Sequence, residues 1–379
     1  MKTIAIIMAG GSGERFWPLS RCAYPKQLLK IKDGEHMLQM ALDRISPLVP
    51  AEDVYVLTVA PLVDAIRREM PNLPPENVVA EPEAKNTAAC LALASALLSE
   101  KYQEDVVMAV LTADHFIKDV KAFQRDCRAA AEFAASSDGL LTFGIRPARA
   151  ETGYGYIEVG APASAREPIF HVDSFREKPD KATAERFLQD GDFFWNSGMF
   201  VWRNSVFQAE LQRHLPSMHS AIPGMRKALA AGEQGRDALA DIYSRLEKIS
   251  IDVGLMERAR EVYVLRASFD WDDIGTWASL FRILPTDAAG NATYGNCLFI
   301  KSSESIAYNI GSSDSETAGL QDASSSDQST PQPLVIGYNL EGVVIVRTPD
   351  AVLVLPAEDV QKVKDVVAFL RSSGQCEYL

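Results

Sequence analysis

Short apolar runs rich in β-branched residues, separated by segments of different character, constrain the fold of this chain more than any other feature. "TIAIIMA" starts at residue 3, "DVYVLTV" covers 53–59, "DVVMAVLTAD" 105–114 and "GLLTFGI" 139–145. Each is too short for a helix and reads as a buried strand. The stretch "NTAACLALASALLSEKY" (86–102), by contrast, is rich in Ala and Leu and reads as a helix. Alternation of the two implies an α/β class: a Rossmann-like, mixed but mostly parallel sheet with helices on both faces. Ligands of such sheets sit beyond the carboxyl ends of the strands. The "AGGSG" after the first run and the "ADH" after the third are therefore expected to face one crevice.

Beyond about residue 150 the pattern changes. Strand-like pieces, "TGYGYIEVG", "FHVDSFREKP" and "NSGMFVWR", alternate with helical stretches near 180–190 and 204–260, and we read them as the acceptor half of the same domain. Residues 311–333, "GSSDSETAGLQDASSSDQSTPQP", hold hardly an apolar side chain and are expected to form a flexible polar insert. Alternating segments flank it at 295–309 and 333–356, and a helix follows. The chain thus divides into a domain at 1–290 and a small β-rich domain at 291–379 that carries the insert.

The formal charge of −13 excludes a general nucleic-acid binder, which needs an extended basic face. An anionic ligand can still be held by a local cationic pocket, because the Debye length of about 8 Å screens distant carboxylates. Five widely spaced cysteines form no C-x-x-C pair, so a reducing cytoplasm is expected, with neither a zinc site nor a disulfide framework. "TIAIIMA" is too short to span a bilayer and leads into glycines rather than a cleavage site, so no membrane partner is expected.

Glycines behind a buried strand allow the backbone to approach an anion and aim N–H groups at it. Gly10, Gly11 and Gly13 stand there, yet their spacing matches neither G-x-x-x-x-G-K-[ST] nor G-x-G-x-x-G. That mismatch disfavours a dinucleotide-dependent oxidoreductase. What gives the turn meaning is Arg15 just after it and Lys26 behind Pro25, a fork and a point charge suited to polyphosphate.

The stretch "GGSGERFWPLSRCAYPKQLL" closely resembles the signature G-G-x-G-x-R-L-x-P-L-[ST]-x-x-x-P-K of the sugar-1-phosphate nucleotidyltransferases, and Trp17 with "PKQ" resembles their mannose-1-phosphate guanylyltransferase branch. The likeness continues in order through "EPEAKNTA", "TADH", "TGYGYIE", "FREKPD", "WNSGMFVW", "SIDVGLMER" and "WDDIGTWASL", covering roughly 1–290.

The resemblance implies that GTP and mannose 1-phosphate are converted to GDP-mannose and pyrophosphate. It assigns catalysis to Arg15, Lys26, Asp114, Lys178 and Asp273, with Asp114 and Asp273 holding one Mg²⁺ and Asp272 as the alternative to Asp273. Nucleotide binding falls to Gly10, Gly11, Gly13, Glu81, Asn86 and Thr87. The sugar phosphate falls to Gly153, Glu177, Lys178 and Asn196, with Gly198 leaving room beside it. His115 is expected to buttress the site, Tyr154 and Tyr156 to pack, and Lys85 to face solvent.

By analogy with related enzymes, the C-terminal domain is expected to be left-handed β-helix-like and to support self-association. The chain departs from the family pattern at Phe16, where leucine is usual, at Ala89, where proline is frequent, and in the polar insert. A different sugar 1-phosphate (heptose or glucose), a different nucleotide, or a non-catalytic sensor of GDP-sugars are the alternatives left open.

Overall fold

A computed structural model describes residues 1–11, 13–21, 24–32, 34–311 and 333–379. The expected polar insert lies, but for its two end residues, outside the described residues.

β1 (Thr3–Met8) lies in the middle of the main sheet and is buried on both faces, which is why its sequence is continuously apolar rather than alternating. A short hairpin, β2 (Lys30–Lys32) with β3 (Glu35–His36), follows the glycine turn. The sheet is completed by β4 (Val54–Val59), β5 (Val78–Glu81), β6 (Val107–Thr112), β7 (Leu140–Ile145), β8 (Tyr156–Pro162), β9 (Ile169–Arg176), β10 (Phe193–Arg203) and β11 (Val262–Arg266).

The strand order is β5-β4-β1-β6-β10-β7-β11-β9-β8, with a further β10–β8 pairing. Only β9 and β10 run against the rest, so the sheet is mixed but mostly of one direction, as expected. Successive residues of β1 feed opposite faces. Ala5 and Ile7 join one apolar cluster, while Ile4 and Ile6 join the other, where the helix Asn86–Lys101, buried from Ala88 to Leu98, is sunk.

From residue 292 the chain makes a second set of short strands: β12 (Ala292–Tyr294), β13 (Cys297–Ile300), β14 (Ile306–Asn309), β15 (Val335–Tyr338), β16 (Val343–Arg347) and β17 (Val352–Pro356). β12, β14 and β16 pair in parallel, as do β13 and β15, while β17 closes the set antiparallel to β16. Tyr308, Val344, Val346, Val363 and Val367 belong to the same buried cluster as Ala5 and Ile7, so this region packs on one face of the main sheet. The helix Val363–Ser372 then returns to the glycine turn.

Among the described residues no helix is long and apolar enough to cross a membrane. Cys90, Cys127, Cys297 and Cys376 are free thiols.

Candidate active site

The turn after β1 and the turn after β6 do face one crevice. Gly11, Gly13, Arg15, Lys26, Asp114 and Asp273 line a single cavity of ≈ 470 Å³, together with His115 and Lys364. Gly13 holds the tightest position of the turn. Its φ is +64°, and a Cβ there would lie 2.5 Å from the Cβ of Lys26, so only glycine fits without displacement.

Lys26 opens the one-turn helix Lys26–Leu28, which Pro25 leads in at φ −77°. The side chain is buried. Its Nζ donates to Asp114 Oδ2 at 2.9 Å and to the Asp273 carbonyl at 3.0 Å, and lies 5.5 Å from the ring centre of Phe16. The Phe16 ring in turn packs on Trp277 at 5.0 Å, which gives the departure from leucine a structural role. Arg15 is exposed at the cavity mouth and makes no ion pair with the described residues.

The two aspartates differ in electrostatic state. Burial would raise the Asp114 pKa, but the Lys26 ammonium more than offsets this and holds it below the ordinary value. Asp273 is raised, chiefly by burial, although the Tyr154 hydroxyl donates to its Oδ1 at 2.6 Å. The Gly275 N–H donates to that same oxygen at 3.1 Å, so neither contact occupies Oδ2.

Asp272 points elsewhere. Its carboxylate is engaged by the Arg282 guanidinium, with one bond of 2.9 Å, and by the Ile274 N–H at 2.9 Å. His115 is neutral: burial lowers its pKa to about 4, and the Trp271 indole donates to its Nδ1 at 3.0 Å. Its ring meets Trp271 edge-on at 5.1 Å, and its backbone carbonyl accepts from Arg44 at 3.2 Å.

Among the described residues no cluster of three or more His, Cys, Asp or Glu side chains is arranged around a metal position. A magnesium ion needs none, because it is commonly held by one or two carboxylates and completed by phosphate oxygens and water. Asp114 and Asp273, flanking one cavity with an oxygen of Asp273 left over, fit that donor set.

A second cluster lies along β9 and β10. Asn196 Nδ2 donates to Asp252 Oδ1 at 2.8 Å, and Asn196 Oδ1 accepts from Thr142 Oγ1 at 3.2 Å and from the Gly198 N–H at 3.1 Å. Gly198, at φ +69°, makes the irregularity of β10 between Asn196 and Phe200. Lys178 is more than half exposed, adopts φ +46° and pairs with Glu177. Neither Glu177 nor Lys178 lines the cavity of Lys26.

Gly153 donates to Glu151 Oε1 at 3.1 Å, whereas Gly155 is the glycine pressed on the cluster: a Cβ there would lie 2.6 Å from Glu177 Oε2 and 3.4 Å from Asn196 Cβ. Asp252 opens a five-residue π-turn, Asp252–Met256. Burial, then the nearby Glu177, raise its pKa to about 6.

The segment expected at the base packs beside these. Glu81 is buried, accepts from the Tyr243 hydroxyl at 2.6 Å and lies by Gly10, where a Cβ would sit 3.2 Å from its Oε1. Asn86 (φ +69°) starts the long helix, its Oδ1 accepting from the Thr87 N–H at 2.8 Å. Thr87 Oγ1 in turn accepts from the Ile251 N–H at 2.8 Å, beside Asp252.

Two expectations need correction. Lys85 does not simply face solvent: its Nζ donates to the carbonyls of Ser244 (2.7 Å) and Leu246 (3.1 Å) and fastens this segment to the end of the helix Arg236–Ser244. Tyr154 is not merely packing either. Besides its bond to Asp273, its ring meets Trp195 edge-on at 5.2 Å, next in sequence to Asn196, and so joins the two clusters. Tyr156 is fully buried as expected, its hydroxyl accepting from the Glu151 N–H at 3.0 Å.

Comparison with known proteins gives matches along nearly the whole chain. The family model described as Nucleotidyl transferase matches residues 4–290. A mannose-1-phosphate guanylyltransferase of Klebsiella pneumoniae is 36% identical over 99% of this chain and 75% of its own length. One from Escherichia coli strain K12 is 34% identical over 100% of this chain and 75% of its own. The crystal structure of a Thermus thermophilus protein named "mannose-1-phosphate geranyltransferase" superposes with a TM-score of 0.83 at 31% identity, covering 98% of this chain and 100% of the other. With the glycine turn, buried lysine and facing aspartates in one cavity and a family match across most of its length, the chain belongs to the nucleotidyl transferase family.

Proposed function

We propose that this chain transfers a guanylyl group from GTP to mannose 1-phosphate, giving GDP-mannose and pyrophosphate. The observation that carries the reading is the single cavity in which the glycine turn, Arg15 and Lys26 face Asp114 and Asp273. The names of the two guanylyltransferase relatives supply the nucleotide and the sugar.

In the reaction an oxygen of the sugar phosphate attacks the α-phosphorus, the bond from that phosphorus to the bridging oxygen breaks, and pyrophosphate leaves with the electron pair. No general base is needed, because the attacking phosphate oxygen is already anionic. The work is therefore positioning and charge neutralisation. Backbone N–H groups of Gly11 and Gly13 approach the triphosphate, Arg15 and Lys26 neutralise it, and Tyr154 keeps the Asp273 carboxylate oriented. Mg²⁺ held by Asp114 and Asp273 would supply the remaining charge compensation between the two anionic reactants.

Lys178, whose side chain is more than half exposed, is assigned to the phosphate of the acceptor, and Glu177, Asn196 and Gly153 to the sugar. Glu81, Asn86, Thr87 and Gly10 are assigned to the nucleotide. We further take 1–290 and 291–379 as two domains and read the parallel strands of the second as a short left-handed β-helix-like stack that supports self-association in the cytoplasm.

The test is pyrophosphate release across a matrix of nucleoside triphosphates and sugar 1-phosphates, with and without EDTA. We expect turnover to be fastest with GTP and mannose 1-phosphate and to be abolished by the chelator. A preference for UTP, dTTP or ATP, or for glucose or heptose 1-phosphate, rejects the assignment.

A further inference from the structure

A second cavity, ≈ 240 Å³, adjoins the phosphate cavity at the glycine turn: Gly11 and Glu14 line both. The two differ in chemistry. One carries Arg15, Lys26, Asp114 and Asp273, while the other is walled by Trp17, Val59, Pro61 and Leu62, with the Gly10 and Gly11 backbone at its floor. A nucleoside triphosphate has the same division into a charged half and an aromatic half.

One element reaches both cavities. In the helix Val363–Ser372, Lys364 lines the charged cavity and Val367 and Arg371 line the apolar one. Positions i, i+3 and i+7 lie on one helical face, so this is a single surface turned toward the crevice. The helix is also fastened there, since Arg371 pairs with Glu14 at 3.1 Å and the Trp17 indole donates to the Tyr378 carbonyl at 2.7 Å.

We infer that the Lys364–Val367–Arg371 face of this helix is part of the nucleotide site, with Val367 closing the wall against the base and Lys364 adding a cation for the triphosphate. The inference rests on the proposed function, because it takes the occupant to be the nucleoside triphosphate substrate. It adds to that reading a role for a segment outside residues 4–290, where the family model matches. The polyphosphate contact is electrostatic and partly exposed, so its strength falls as salt rises.

The test uses the full chain. Hydrogen–deuterium exchange is measured without ligand, with GTP alone, and with mannose 1-phosphate alone. GTP is expected to protect the amides of 363–372, and mannose 1-phosphate to leave them unchanged. Steady-state kinetics then compare Val367→Phe, which fills the apolar cavity, and Lys364→Ala, an exposed change with little consequence for folding. Both are expected to raise the KM for GTP, by about tenfold for Val367→Phe and about threefold for Lys364→Ala, with the KM for mannose 1-phosphate within twofold of the parent.

If GTP leaves 363–372 unprotected, or if Lys364→Ala and a folded Val367→Phe keep the parent KM for GTP, the inference fails while the guanylyltransferase reading stands. If the parent chain turns over no GTP with mannose 1-phosphate, the earlier reading fails, and this one with it.

Discussion

Adjacent aspartates with nearly the same sequence environment have unequal surroundings here, because each carboxylate already holds different partners. Asp272 is neutralised by Arg282, whereas Asp273 keeps an oxygen beyond its contacts with Tyr154 and Gly275 and shares a cavity with Asp114. Asp273→Asn is therefore expected to lower kcat about 10²–10³-fold, the usual scale for removing a group that stabilises developing charge, with Tm nearly unchanged. Asp272→Asn should do the reverse, costing about 1–3 kcal/mol of stability because the Arg282 guanidinium loses a charged partner, and leaving most of the turnover of the folded fraction. Thermal melts and initial rates on the two variants check this, and an exchange of the two phenotypes would reassign the site. Asp252 offers a pH test. Its ordinary pKa of 3.8 is raised to about 6 by burial and by Glu177. Between those values the folded state binds the extra proton, so this group's contribution to stability is complete below about pH 4 and is lost as pH rises through 6. Asp252→Asn retains an acceptor for Asn196, so it is expected to raise Tm at pH 8, with the gain shrinking below pH 6. A variant that melts below the parent at pH 8 would refute the assignment of cost to the charged carboxylate.

The elements that hold these side chains were largely legible, because strand and helix periods are local properties of the chain. β1, β4, β6 and β7 fall within the apolar runs, and the Ala- and Leu-rich stretch is the helix Asn86–Lys101. β8 starts at Tyr156 rather than near 152, because the Tyr156 hydroxyl and the Glu151 carboxylate tie "ETGYGY" into a turn first. The residues that sequence reasoning missed depend on partners far along the chain: Tyr154 meets Asp273 119 residues on, and Lys85 meets Leu246 161 residues on. No local pattern encodes such pairs. Asp252 stood inside a motif quoted for its resemblance, "SIDVGLMER", and a carboxylate within an otherwise apolar run was the available signal. Gly13, by contrast, was legible as a turn residue, and the turn lines the cavity of Lys26. The turn exists to bring its backbone over Lys26, so Gly13→Ala tests the element rather than one contact. Its φ of +64° and the 2.5 Å approach to the Lys26 Cβ mean that the added methyl must move the Lys26–Leu28 helix. Expected are a loss of about 1–3 kcal/mol, the scale of a strained left-handed residue, and a rise in the KM for GTP, read from denaturant melts and kinetics. Parent-like values in both would show the turn to be plastic.

One apolar cluster runs from β1 through Trp277 and Tyr308 to Val344, Val363 and Val367, so the main sheet and the C-terminal strands bury each other's side chains. Polar ties cross the same junction. The Tyr308 hydroxyl donates to the Lys30 carbonyl at 2.8 Å, and buried Arg21 pairs with Asp350 at 3.0 Å. A chain of this size with two separate cores would be expected to melt in two steps. A shared core couples them, because exposing either partner strips apolar contacts from the other. Tryptophan fluorescence, which samples the junction through Trp17 and Trp277 and the rest of the main domain through Trp195, Trp202 and Trp271, and far-UV circular dichroism, which samples all the helices, are therefore expected to give coincident urea transitions. Asp350→Ala sharpens the test. It leaves the Arg21 guanidinium, whose pKa burial already depresses despite Asp350, without its carboxylate, at a cost of about 1–3 kcal/mol. If the regions are one cooperative unit, that cost shifts the whole transition to lower urea and both probes move together. If they are two, both curves split, and the position of the C-terminal helix at the glycine turn would then need a contact other than the shared core.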